Sequence, residues 1–115
     1  MATAENIIKF DDFNKVDIRI GRIVKAENFP ETRVPSLKLL IDFGELGIKK
    51  SSAHITDHYT VENLAGKAVM AVVNFPKKQI ANFMSEVLVL GFPDDCGKII
   101  LAVPDSDVPI GTRLG

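Results

Sequence analysis

The sequence predicts an all-β domain with short helices, a small Greek-key barrel, on three observations. Short alternating or apolar runs are separated by scattered Gly and Pro, the punctuation of strands and turns. The first run loses its alternation at Gly21-Arg22, as a strand does where a small barrel must bend to close. A helix signal that starts at Thr60 and stops at Gly66 falls between the third and fourth runs.

The first strand covers residues 16–27. Val16, Ile18 and Ile20 alternate with Asp17 and Arg19, and Ile23 then follows out of phase. The second covers 37–43, with Leu37, Leu39, Ile41 and Phe43 on one face and Lys38 and Asp42 on the other. Phe43-Gly44-Glu45-Leu46-Gly47 reads as a hairpin loop, and a third strand restarts near Ile48 and runs to Ala53. Thr60 caps a short helix over 61–65, and Gly66 takes the left-handed stop position. Three more strands, 68–75, 86–92 and 98–103, read as apolar on both faces. A small barrel cannot bury both faces of three strands, so the terminal segments or another subunit are expected to cover part of that surface. Three strands, a helix and two or three further strands fit a barrel of the oligonucleotide/oligosaccharide-binding (OB) type.

The chain of 115 residues is long enough for one core, and residues 1–115 are expected to form one domain. It carries 14 Lys plus Arg against 15 Asp plus Glu, which argues against nucleic-acid binding by bulk positive charge alone. Its single cysteine, Cys96, allows no intramolecular disulfide, and a reducing compartment suits it. Residues 1–10 lack the basic stretch and apolar run of a secretory signal. The longest apolar runs, 68–73 and 87–90, are far below membrane-spanning length, so no membrane insertion and a cytoplasmic location are expected.

No enzyme signature emerges. His54 and His58 stand four apart, but His54 ends a strand and no third ligand is evident, so two locally hydrogen-bonded loop histidines are expected rather than a metal site. Cys96 lies in an acidic turn whose neighbours disfavour a reactive thiolate. Gly44-Glu45-Leu46-Gly47 is a turn, not a phosphate loop, and Ser51-Ser52-Ala53 lacks the flanking glycines of a nucleophile elbow. Asp11-Asp12 and Asp94-Asp95 are adjacent loop carboxylates. No catalytic residue, metal or cofactor is expected.

Charge is uneven. Residues 15–50 hold eight cations against five carboxylates, while the segment from Asp94 onward holds two against four. In OB barrels the cationic strands form the usual binding surface; the plain alternative is a solvated strand face. A second signal is the connection 74–86. It offers the ammonium groups of Lys77 and Lys78 to phosphates, several amides and a hydroxyl to base edges, and Phe75 and Phe83 as stacking faces. Alternatively both rings plug the barrel end. Phe75 favours that role because it continues a strand, and Ser85-Glu86 could equally fix the loop's backbone.

Val16-Asp17-Ile18-Arg19-Ile20-Gly21-Arg22-Ile23, Gly66-Lys67, Val72-Val73-Asn74-Phe75 and Ser85-Glu86 resemble the tRNA-binding domain family. That family includes appended domains of some methionyl- and phenylalanyl-tRNA synthetase chains and free-standing tRNA-binding proteins. Phe29-Pro30-Glu31-Thr32-Arg33-Val34-Pro35, Ile48-Lys49-Lys50-Ser51-Ser52-Ala53 and the stretch from Phe83 to Gly91 more specifically resemble its export-related bacterial chaperones.

The resemblance implies a five-stranded OB-fold barrel with N- and C-terminal extensions used for dimerisation, the last being a packed tail over 108–114. It implies a cytoplasmic homodimer whose partners are tRNA and unfolded or precursor polypeptides. Nucleic-acid contacts are implied for Arg33, Lys49, Ser51, Ser52, Asn74, Lys77, Lys78, Ser85 and Glu86. An apolar groove for polypeptide would be lined by Phe29, Val34, Phe83 and Met84. The tRNA-binding branch typically has His-Pro where this chain has Phe29-Pro30, and Arg-Gly where it has Ala81-Asn82. Both departures reduce charge and flexibility where RNA would lie and leave room for polypeptide. A structural or adaptor dimer that docks onto another protein is the alternative.

Overall fold

The computed structural model describes residues 6–115. Its elements are α1 (Phe10–Asn14), β1 (Ile18–Phe29), β2 (Ser36–Asp42), β3 (Ile48–Ala53), α2 (Val61–Leu64), β4 (Ala68–Val72), β5 (Lys78–Ile80), β6 (Phe83–Ser85), β7 (Leu88–Val89), β8 (Gly91–Pro93) and β9 (Ile99–Leu101). Five strands form one curled antiparallel sheet in the order β3-β2-β1-β4-β7, an OB-type barrel wall.

The long first strand belongs to two neighbours at once. Its start, Ile18–Arg22, pairs with β4, and its end, from Arg22 onward, pairs with β2. The register with β2 slips between Ile23 and Lys25, a bulge just beyond the phase break read in the sequence. Gly21 sits against the inward side chains of Ile41 and Phe43. A Cβ there would lie 2.5 Å from Ile41 Cγ2 and 2.7 Å from the Phe43 ring.

The alternation of β2 sends Leu37, Leu39 and Ile41 into the core, with Phe43 just beyond, all at most 1 % exposed. Ile23, Ile55, Leu64, Val69, Ala71, Val87 and Leu101 complete that core. Over its open end sits α2, capped as predicted: the Thr60 hydroxyl accepts the Asn63 N–H at 3.3 Å, and Gly66 takes φ +86°. The barrel closes between β3 and the chain before β7. Glu86 N–H donates to Lys50 O at 2.7 Å, and the buried Ser51 hydroxyl donates to Val87 O at 2.9 Å.

The structure departs from the sequence expectation in several places, most of them in the second half. The strand expected over 68–75 stops at Val72, leaving Phe75 outside it and 53 % exposed rather than plugging the barrel. The run expected as one strand over 86–92 is split. Leu88–Val89 pairs with β4, while Gly91–Pro93 turns away to pair with β9, itself shorter than the expected 98–103. The connection 74–86 contains a hairpin, β5–β6, joined by Ala81-Asn82 with Ala81 at φ +51°. Short α1 precedes β1 where no element was expected, with Ile7, Ile8 and Phe10 each more than 60 % exposed.

The tail over 108–114 packs along the edge of β1 that β2 does not reach. Ile20 N–H donates to Thr112 O at 3.0 Å, Gly111 N–H to Ile20 O at 2.7 Å, and Leu114 N–H to Ile18 O at 2.8 Å. Asp17 fastens it from the side, pairing with Arg19 at 2.7 Å and Arg113 at 3.5 Å. The hydrogen bond from Arg19 is the main reason the Asp17 carboxyl lies below its ordinary range; the charges of Arg19 and Arg113 add to it, and partial burial opposes it. No helix among the described residues is long and apolar enough to cross a membrane.

Candidate nucleic-acid interface

Strand alternation divides the cations of β2 and β3 between two sides. Lys50 lies opposite Leu40, and Lys38 opposite Ser52, so both lysines share the outer face of the sheet. Lys49 lies opposite Ile41 and shares the core-facing side at the strand's end. Phe29, at the end of β1, belongs to the same outer face as Lys38 and is only 2 % exposed, because the β5–β6 hairpin lays Phe83 over it. The two rings meet edge to face with centroids 5.5 Å apart. Lys38 Nζ stands 4.8 Å from the Phe29 centroid and 5.6 Å from that of Phe83; Lys50 Nζ stands 5.5 Å from Phe83. The outcome is an aromatic pair flanked by two ammonium groups. Neither Lys38 nor Lys50 was among the residues the resemblance implied.

Their convergence depends on cross-strand register and on a hairpin hidden in an apparent loop. One signal was available: carrying the Leu37–Phe43 alternation around the Gly44–Gly47 turn places Lys50 on the side of Lys38.

Next to this face, Phe75, Lys77, Lys78, Ser85, Glu86 and Leu88 line an open cleft of about 410 Å³. Its two lysines are exposed. Ser85 and Glu86 are tied to β3: Ser85 Oγ accepts from Ser52 N–H at 3.2 Å, and Glu86 Oε1 accepts from Lys50 N–H at 3.0 Å. Asn74 is likewise engaged. Its Oδ1 accepts from Asp17 N–H at 3.0 Å, and its Nδ2 donates to Lys15 O at 2.7 Å, pinning the start of the connection to the foot of β1. Arg33 and Val34 line a separate recess of about 430 Å³ with His54, Ile80 and Ala81, between the β1–β2 loop and the hairpin tip. Phe83 and Met84, adjacent on β6, point to opposite sides of the hairpin.

The histidines do not converge. His54 Nδ1 is hydrogen-bonded to the Ser36 hydroxyl, and His58 Nε2 is 2.8 Å from Asp94 Oδ2. Among the described residues no three His, Cys, Asp or Glu side chains gather as a metal-holding group. Asp94 is an anchor of the β8–β9 turn. Donation from the Lys98 backbone N–H, then from the His58 ring and the Cys96 backbone N–H, holds its carboxyl below the ordinary range.

A curled antiparallel wall of five strands in this order is the architecture of the OB fold. Residues 18–113 match the family described as "Putative tRNA binding domain", and the chain belongs to that family. Within it, the chain is similar to two solved chaperones named CsaA. The one from Bacillus anthracis str. Ames is 50 % identical, with a TM-score of 0.89 over 95 % of this chain and 99 % of that one. The one from Picrophilus torridus is 46 % identical, with a TM-score of 0.88 over 95 % and 100 %. The methionine–tRNA ligase of Archaeoglobus fulgidus is 36 % identical over 107 residues, which are 93 % of this chain and 16 % of the ligase. The chain thus spans only a small part of the curated relatives it matches.

Proposed function

We propose that the chain is a CsaA-like binding protein without catalytic activity, and that it takes tRNA on the outer face of β1–β3 and in the adjoining cleft. The observation that supports this most is the Phe29–Phe83 pair with Lys38 and Lys50 poised over it. An unpaired base stacks on Phe83, and phosphates on either side meet Lys38, Lys50, Lys77 and Lys78, with Arg33 beyond the hairpin tip. Ser51, Ser52, Asn74 and Ser85 serve by holding β3, the hairpin and β1 in register, and Lys49 contributes charge at the barrel's edge.

A second reading, the holding of unfolded or precursor polypeptides before export, draws on different side chains. Val34, Phe75, Met84 and Leu88 are exposed around the same hairpin, and both solved relatives carry the name chaperone. Met84 suits varied partners, and Phe29 supports Phe83 from beneath. In this reading the protein works as a cytoplasmic homodimer, which covers the exposed side chains of Ile8, Phe10, Phe92 and Ile100. An adaptor dimer without an RNA or peptide ligand of its own is the reading both would replace.

A paired titration separates these. Labelled bulk tRNA and a labelled unfolded polypeptide are each titrated at low and high salt. RNA binding through a few phosphates weakens steeply with salt, whereas apolar polypeptide binding holds or strengthens. Binding of neither ligand would leave the adaptor.

A further inference from the structure

The cleft beside the hairpin contains a carboxylate where a simple phosphate site would have none. Glu86 is fixed from two directions by β3: its N–H donates to Lys50 O at 2.7 Å, and its Oε1 accepts from Lys50 N–H at 3.0 Å. Its side chain is only 15 % exposed. The other oxygen, Oε2, is 3.6 Å from Lys77 Nζ, and the Lys77 side chain is 66 % exposed. One partner of this ion pair is therefore clamped and the other is free to leave. Lys78 lines the same cleft but has no carboxylate partner among the described residues.

From this asymmetry we infer that Glu86 acts as a built-in competitor for phosphate: it holds the Lys77 ammonium in the free protein, and RNA must displace it. The inference rests on the RNA-binding reading above. Lys77 gains only the difference between a phosphate and the carboxylate it gives up, whereas Lys78 gains a phosphate contact outright. The restraint lowers affinity for any lone anion, such as an acidic side chain on a polypeptide. A nucleic-acid backbone, with phosphates in series, anchors on Lys78 and then competes for Lys77 at high local concentration. Glu86 is in this account a positioning residue that sets selectivity, not a group that touches RNA.

The test uses the full chain and bulk tRNA. Glu86→Gln keeps an amide oxygen to accept the Lys50 N–H and removes the charge. It is expected to tighten tRNA binding about two- to fivefold at low salt, the range a single exposed ion pair can carry. The gain should shrink as salt rises. In a Lys77→Ala background the same change should bring no gain. A second comparison leaves Glu86 untouched: Lys78→Ala should weaken tRNA binding more than Lys77→Ala. Equal gains from Glu86→Gln with and without Lys77 would mean that Glu86 repels RNA directly and would overturn the inference. So would no gain at an unchanged melting temperature, or a Lys77→Ala loss equal to or larger than that of Lys78→Ala. If the unaltered protein binds no tRNA, the RNA-binding reading itself fails; if it binds and the variants behave as just described, only the Glu86 restraint does.

Discussion

On the outer face of β1–β3, Lys38 and Lys50 lie over aromatic rings, and among the described residues neither is ion-paired. Elsewhere on the molecule the charges are engaged with one another. Asp17 holds Arg19 and Arg113, Arg113 also donates to Asn14 O at 2.6 Å, His58 holds Asp94, and Lys98 meets Asp57 at 3.5 Å. The difference separates two uses of the same residue types. Paired charges there fasten the tail, the foot of β1 and the β8–β9 turn. The half-buried lysines on the strands rest against rings rather than carboxylates and remain available to a ligand. Substitutions in the fastened regions should therefore register in stability, and substitutions on the open face should register in binding.

The sharpest way to break that division runs through the aromatic pair, which straddles it. Phe29→Ala empties a buried position and should cost about 3–5 kcal/mol of folding stability, read by chemical denaturation. Phe83→Ala, on the half-buried partner, should lower stability much less and weaken ligand binding instead. A large drop in melting temperature with normal binding would return Phe83 to the core. Next in size, Gly21→Ala forces a Cβ against Ile41 and Phe43 and should cost about 1–3 kcal/mol by overpacking. A neutral Gly21→Ala would mean that β1 can move away from β2 there.

The residues that made these predictions possible were unequally legible in the sequence. The strict alternation of Leu37, Leu39 and Ile41 fixed β2, its buried face and, through the short turn after Phe43, the bounds of β3. Thr60 and Gly66 marked α2 because capping chemistry is local. The phase break at Gly21-Arg22 announced a bend, although the register slip itself falls a few residues later. Past Val72 that kind of signal is absent. A run apolar on both faces has no phase, so nothing in Glu86 to Phe92 reveals that Leu88–Val89 and Gly91–Pro93 serve different partners. The β5–β6 strands have three residues each and turn on Ala81-Asn82 without a glycine, too little for alternation or turn chemistry to register. The site suffered accordingly. Lys77, Lys78, Ser85 and Glu86 were found together because they are neighbours along the chain. Lys38 and Lys50 were not, because only register and the hairpin bring them to one ring.

Smaller effects sharpen the comparison further. Asp17→Asn releases Arg19 and Arg113 together and should lower stability by about 1 kcal/mol, with faster amide exchange at Ile20, Gly111 and Leu114, whose N–H groups bond β1 to the tail. Protection that stays unchanged would show the tail held by its backbone bonds alone.

The depressed carboxyls of Asp17 and Asp94 give these fastened regions an acid sensitivity. A carboxyl lowered on folding contributes stability above its unfolded value near 3.8, and that contribution is lost as pH falls through the lower folded value. Melting temperature should therefore drop as pH is taken below about 4, and Asp17→Asn should flatten that drop. At the bottom of the scale, Lys77→Ala should leave the melting temperature unchanged and reduce the salt slope of tRNA binding by about one ion. An unchanged slope would remove Lys77 from the interface.

The central claim is that RNA is taken on the open face rather than in the fastened regions. The most direct test is to titrate the isotopically labelled protein with tRNA and follow backbone amide resonances. The account predicts perturbation concentrated at Lys38, Lys50, Lys77, Lys78 and Phe83, with Phe92, Ile100 and the 108–114 tail unaffected. Shifts confined to β8–β9 and the tail, with the lysine-flanked rings silent, would contradict it.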